Sequence, residues 1–229
     1  GGKTVVTNAG SNGKFVGVMD FDIRNGKVHG FEYSLLPVFS NLIVPNREMS
    51  QLIEEIRAPY QGWLTEELAT ADQLLYRRGN FNGTFDQLIC DALNTHYDSQ
   101  VSLSPGFRWG TTVMAGQKIT MDNLLDQTCI TYPETYAREM SGEEIKNILE
   151  DVCDNLFNAD PYYQQGGDMV RVGGLDYVCD PMAPIGRRIS EMTLDSGEKI
   201  EAGKSYKVSG WATVGSQAPG PAIWDVVAG

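Results

Sequence analysis

The sequence is poor in the residues that build metal sites and nucleic-acid surfaces. Of its 229 residues only His29 and His96 are histidines, and the four cysteines, Cys90, Cys129, Cys153 and Cys179, lie far apart without a C-x-x-C pair. That spacing argues against a zinc ribbon or a thioredoxin-type motif, and two histidines are a thin basis for a catalytic metal cage, so no metal ligand is assigned. Cys90 and Cys153 fall on the apolar faces of expected helices, where a small buried hydrophobe is the ordinary role, and a disulfide is left open. Positive charge is also scarce. Eighteen Lys and Arg face 30 Asp and Glu, a net charge of -12, which argues against duplex nucleic acid as a partner because phosphate binding needs clustered cations. No apolar run approaches the roughly 18 to 20 residues that span a bilayer, so no membrane partner is expected. A signal-peptide pattern is missing at the start, as is an initiator Met, so the chain reads as a piece of a longer protein. Neither Gly166-Gly167 nor Gly173-Gly174 has the spacing of a dinucleotide or phosphate loop, and there is no G-x-S-x-G. No catalytic residue is therefore assigned within this chain.

What is present is the patterning of an α+β protein with 41% hydrophobic residues, enough to bury a sizeable core. Phe15 to Ile23 and Val28 to Leu36 flank Asn25-Gly26, the strongest short hairpin signal. Met49, Leu52, Ile53 and Ile56 recur at helical spacing, and that helix should end near Pro59. A second helix opens at Thr84, whose hydroxyl is expected to cap it while Gln87 reaches back, with Phe85, Leu88, Ile89, Ala92 and Leu93 as its apolar stripe. Val101 to Leu103 reads as a short strand, Ile119 to Leu125 as helical and Cys129 to Tyr132 as extended. Ser141-Gly142-Glu143-Glu144 is a capping box that opens a helix with Ile145, Ile148, Leu149, Val152 and Leu156 on one face. The turn signals after Ile189 to Leu194 predict a β-meander through Glu198 to Ile200 and Tyr206 to Val208, which Trp211 follows.

Two segments carry recognition chemistry. Arg108 stands between Phe107 and Trp109 in a glycine-bounded turn. Asp168 and Arg171 close the polar loop Gln164-Gln165-Gly166-Gly167-Asp168-Met169-Val170-Arg171, within an aperiodic stretch from Asn158 to Gly174 that also holds Tyr162 and Tyr163. A guanidinium offers planar, bidentate bonds to phosphate, sulfate or carboxylate, and neighbouring rings supply stacking faces. Each residue has a structural alternative: a salt bridge for Arg108, and a bond to its own backbone for Asp168.

The order Ser104-Pro-Gly-Phe-Arg-Trp-Gly110, Asp126-Gln-Thr-Cys-Ile-Thr-Tyr-Pro133, Met140-Ser-Gly142 and Asp154-Asn-Leu-Phe157 resembles the 5′-nucleotidase carboxy-terminal domain. Tyr76-Arg-Arg-Gly-Asn-Phe-Asn-Gly83, the loop from Gln164 to Gly174 and Gly210-Trp-Ala-Thr-Val214 resemble, more narrowly, the SoxB thiosulfohydrolases of that superfamily. The resemblance implies residues 1–40 as the end of a metallophosphatase-like domain, 41–82 as a linker with a helix and 83–229 as the substrate-binding domain. Val6 to Phe15 is similar to the stretch after the last metal-binding His of the metallophosphatase half, so the ligands of the family's two manganese ions would lie outside this chain. Also implied are a periplasmic location, release of sulfate from a cysteine S-thiosulfonate on the carrier SoxYZ, and an inactive isolated fragment. Arg108 then matches a substrate-contacting Arg, Tyr132 and Trp211 match the base-sandwiching rings of nucleotidases, and Arg171 with Asp168 lie in the family loop. The alternatives are the substrate domain of a nucleotidase-type phosphohydrolase, or a non-catalytic module that docks a carrier.

Overall fold

Asn25 and Gly26 both take positive φ, 50° and 71°, the turn geometry whose twist matches two antiparallel strands. They join β1 (Phe15–Arg24) to β2 (Lys27–Pro37), which pair from Phe15 with Pro37 to Arg24 with Lys27, with a bulge between Asp22 and Ile23. The structure is a computed structural model that describes residues 4–11, 13–107, 110–130, 132–213 and 218–229. It divides into two compact units, Gly1–Gln61 and Gly62–Gly229.

The first unit is the hairpin followed by α1 (Arg47–Arg57), started by Asn46, whose side chain accepts from the Met49 amide at 2.9 Å. A 3-10 turn at Ala58–Tyr60 follows, so the helix stops where Pro59 requires. α1 has no buried residue, and Met49, Leu52, Ile53 and Ile56 are all exposed, as are Phe21, Ile23 and Phe31 of the hairpin.

The second unit is built on a sheet in the order β6 (Thr135–Ser141), β10 (Ser205–Trp211), β4 (Val101–Ser104), β7 (Arg171–Gly173). β10 runs parallel to β4 and antiparallel to β6, and β7 runs antiparallel to β4. Strand alternation divides the packing between two cores. Val101, Leu103, Tyr206 and Val208 join Ile145, Leu149 and Cys153 of α5 (Gly142–Phe157) and Leu175, Ile189 and Leu194 of the hairpin β8 (Leu175–Cys179) and β9 (Ile189–Leu194). Trp211 belongs to the other core, with Phe85, Ile89 and Leu93 of α3 (Thr84–Tyr97), Met121 and Leu124 of α4 (Met121–Thr128), and Ile223 and Val226 of α6 (Ile223–Ala228). That core also takes in Ile119 from the two-stranded sheet of β3 (Glu67–Thr70) and β5 (Lys118–Thr120); α2 (Gln61–Leu64) precedes β3.

The architecture is the α+β class expected. The capping box of α5 is present, with Ser141 Oγ accepting from the Glu144 amide and Glu144 Oε2 accepting from the Ser141 amide. Three local readings are corrected. Thr84 does not cap α3: its hydroxyl donates to the Leu74 carbonyl, and Asp86, not Gln87, reaches back to the Gly83 amide. Ile119 lies in β5, because Thr120 is the cap of α4 and the helix cannot begin before it. Cys129 has the extended backbone expected, though it lies in no strand and the next strand begins at Thr135. Of the meander only the first turn is formed, with Lys199 bridging to Thr193, while β10 leaves to fill the gap between β6 and β4. The span 62–82, read as linker, lies in the second unit, where Ala71 and Leu75 are buried and Leu75 bridges to Val113. No helix among the described residues is long and apolar enough to cross a membrane.

Candidate functional site

Three of the expected site residues, Asp168, Arg171 and Trp211, converge where β4 ends and β7 begins. Arg171 is the first residue of β7, opposite Ser104, rather than part of an open loop. Its side chain is fully buried. Arg171 donates to the carbonyls of Phe81 and Gly79 and to Asp168 Oδ2 at 3.1 Å, and its Nε lies 3.3 Å from Asp86 Oδ2. Asp168, also buried, thus pairs with Arg171.

Behind this pair lies one that the sequence reading does not single out. Arg77 Nε donates to Asp86 Oδ1 at 2.6 Å, with both side chains wholly enclosed. Asp86 therefore serves two guanidiniums while accepting from the Gly83 amide at 2.9 Å. Burial pushes the Arg77 guanidinium below its ordinary value, and the adjoining Asp86 carboxylate opposes that shift. Two guanidiniums, Arg77 and Arg171, thus face two carboxylates, Asp86 and Asp168, and such pairing is how charged groups are tolerated away from water. The signal that could have found it is the pair Arg77-Arg78 just before a helix carrying Asp86 in its first turn.

The cluster also grips the residues that flank Arg108 in sequence. Arg77 also donates to the carbonyls of Pro105 at 2.8 Å and Gln127 at 2.6 Å, and its guanidinium lies 5.5 Å from the centre of the Phe107 ring. Phe107 meets Trp211 edge to face at 6.2 Å, and Trp211 Nε1 donates to Ser104 Oγ at 2.8 Å. On the far side of the turn, Gln127 Nε2 donates to the Thr111 carbonyl, and Asp126 accepts from both the Thr111 amide and hydroxyl. Gly106 is required by close approach: a Cβ there would stand 2.3 Å from the Met169 carbonyl oxygen and 2.8 Å from Asp168 Cβ. The turn and the family loop are thus pressed together, backbone on backbone.

Arg108 and Trp109 lie outside the described residues. Asp168, Arg171 and Trp211 are brought to one place, whereas Tyr132 keeps an exposed ring on the segment leading into β6. Trp211 is 3% exposed, so its ring is a wall behind Phe107 and not an open stacking face. Tyr162 and Tyr163 meet edge to face at 5.7 Å and are both exposed on the loop before β7. Among the described residues no group of three His, Cys, Asp or Glu could hold a metal ion. What the arrangement offers chemically is a base of buried ion pairs beneath the loop before β7 and the residues that flank Arg108.

Comparison with known proteins places this arrangement. The family model of the 5′-nucleotidase C-terminal domain matches residues 67–223. Among solved structures, Thermus thermophilus sulfate thiohydrolase SoxB is 36% identical, with a TM-score of 0.87 over 94% of this chain and 41% of that protein. The 5′-nucleotidase precursor from Thermus thermophilus is 16% identical, with a TM-score of 0.72 over 94% of this chain and 42% of that one. The NAD nucleotidase of Haemophilus influenzae is 15% identical, with a TM-score of 0.55 over 80% of this chain and 34% of that one. These last two show the shared fold. No curated protein matches the chain. The first is a thiohydrolase by name and the other two are nucleotidases, and the chain spans less than half the length of any of them. By its fold, and by a family match from β3 to the start of α6, the chain belongs to the 5′-nucleotidase C-terminal domain family.

Proposed function

We propose that this chain is the substrate-recognising part of a SoxB-type thiosulfohydrolase, which releases sulfate from a cysteine S-thiosulfonate carried by SoxYZ in the periplasm. The observation that carries the reading is the 36% identity to a sulfate thiohydrolase over 94% of the chain, against 16% for a nucleotidase over the same span. In this proposal the two manganese ions belong to residues outside the chain, where they would supply Lewis acidity and activate water. The hairpin of the first unit, with its exposed apolar side chains, would complete that metal-binding domain.

The chain's own part is to bind and orient. Arg108, which follows Phe107 in sequence, would take the anionic sulfonate, since a guanidinium pairs with such oxyanions through two parallel bonds, and its flanking residues Pro105, Phe107 and Thr111 are each held by neighbours. Arg171 and Asp168 act one step back, holding the loop against the turn, and Tyr132, Tyr162 and Tyr163 offer exposed rings to the carrier's tail. Trp211 supports the turn through Phe107.

The test is the full-length enzyme assayed for sulfate release from a thiosulfonated carrier and, in parallel, for AMP hydrolysis. Sulfate release is expected, and Arg108→Ala should lower kcat/KM for it by about 10- to 150-fold, the value of a lost charge-assisted contact. Robust AMP turnover without sulfate release would establish a nucleotidase instead, and carrier binding with neither activity would establish a docking module.

A further inference from the structure

Cys153, on α5, and Cys179, the last residue of β8, place their Sγ atoms 3.5 Å apart. A disulfide needs about 2.05 Å, so the sulfurs must approach by about 1.5 Å to bond. The two thiols differ in access. Cys153 is fully buried in the core beside α5, while Cys179 is half-buried and lines an open cleft of about 410 Å³ with Phe81, Asn82, Val172, Leu175 and Tyr177. One thiol is therefore reachable from outside, and the other waits directly behind it.

The surroundings also suit exchange chemistry. Burial pushes the Cys153 thiol up to about 12, while the Arg188 guanidinium opposes that shift. Arg188 is held in place by Asp154 at 2.6 Å and by the Phe157 carbonyl, and its Nε makes no hydrogen bond among the described residues. The buried thiol is thus a poor first nucleophile but has a cation near it once a partner sulfur is presented.

We propose that Cys153 and Cys179 form a redox-active dithiol site that closes to an intrachain disulfide by exchange with an external disulfide, of the low-molecular-weight or thiol-oxidoreductase kind. Cys179, as thiolate, attacks one sulfur of the external disulfide, whose S–S bond breaks and expels one thiolate. Cys153, giving up its proton, then attacks the Cys179 sulfur of the mixed disulfide and expels the second thiolate. Two protein thiols are oxidised to one disulfide, the external disulfide is reduced to two thiols, and the two protons go to the two leaving sulfurs. The closed loop runs from residue 153 to 179 and encloses the aperiodic stretch with Asp168 and Arg171. An oxidising compartment would keep the site closed and a reducing one open.

The experiment is native equilibration of the full-length protein with oxidised glutathione, a quench with a maleimide, and peptide mapping by mass spectrometry. A cross-linked peptide pair joining Cys153 to Cys179 is expected, reversed by dithiothreitol, with fully buried Cys90 and exposed Cys129 as internal controls. Cys153→Ser should trap glutathione on Cys179, which the wild type does not retain. Should that variant fold poorly, the wild type alone suffices: the oxidised form should melt about 5 to 10 °C above the reduced form. Separate alkylation of Cys153 and Cys179 after equilibration, or stable glutathione on wild-type Cys179, would overturn the proposal.

Discussion

Arg77 and Asp86, 2.6 Å apart and sealed from solvent, form the pair from which the candidate site is built outward. Arg77 reaches forward to the turn at Pro105, and Asp86 reaches sideways to Arg171, so one ion pair organises both functional segments.

Breaking that pair from one side leaves an uncompensated charge in the interior. Asp86→Ala should lower the stability of the second unit by about 3 to 5 kcal/mol. Glu67→Ala, which removes an exposed 3.3 Å contact with Lys118, should change it by less than about 1 kcal/mol. Urea unfolding of both variants beside the wild type measures the difference, and equal effects would deny the cluster its organising role.

Gly106→Ala tests the contact between turn and loop. The new methyl must displace the Met169 backbone, and a clash of that kind typically costs about 1 to 3 kcal/mol. Hydrogen exchange should quicken around Asp168 and Met169. Gly203→Ala, where a Cβ meets nothing within 4 Å, should fall within about 0.5 kcal/mol of wild type.

Trp211→Phe keeps a ring beside Phe107 but deletes the donor to Ser104 Oγ, a buried hydroxyl. A loss of about 1 to 3 kcal/mol is expected on thermal or urea unfolding. Combining it with Ser104→Ala should recover part of that loss, because no buried polar atom is then left without its partner.

Acid should weaken the start of α5. The Glu144 carboxyl is held below its ordinary value by the Ser141 amide first and the Ser141 hydroxyl second. For a carboxyl with a depressed folded-state value, the stabilisation is present above the unfolded value near 4.3 and is lost as pH falls through the folded one. Wild type should thus exceed Glu144→Gln in stability at neutral pH, and the gap should close as pH falls below about 4. A constant gap across a pH series of melts would refute this.

What could be read from residues alone was whatever is encoded locally. Asn25-Gly26 announces a turn, and Ser141 with Glu144 announces a helix start, because each signal is complete within four residues. The central position of β10 has no such signal: its partners β4 and β6 are chosen by packing across more than sixty positions of sequence. Arg77 and Asp86 carry no local signal of their burial for a related reason. Charged residues ordinarily read as surface, and only the fold reveals that these neutralise each other inside. Asp168 and Arg171 were visible as a polar, glycine-flanked motif, yet the direction of their side chains, inward toward each other, was not.

The placement of β10 sets an order of assembly. Until residues 205–211 have been synthesised, β4 and β6 each present an unpaired edge where β10 will lie. The sheet therefore closes from its middle only once β10 has emerged, with strand pairs of high sequence separation that form slowly. Through that interval a nascent chain would expose hydrogen-bonding edges to neighbours, the state in which strand proteins go astray and in which a holding chaperone has most to offer.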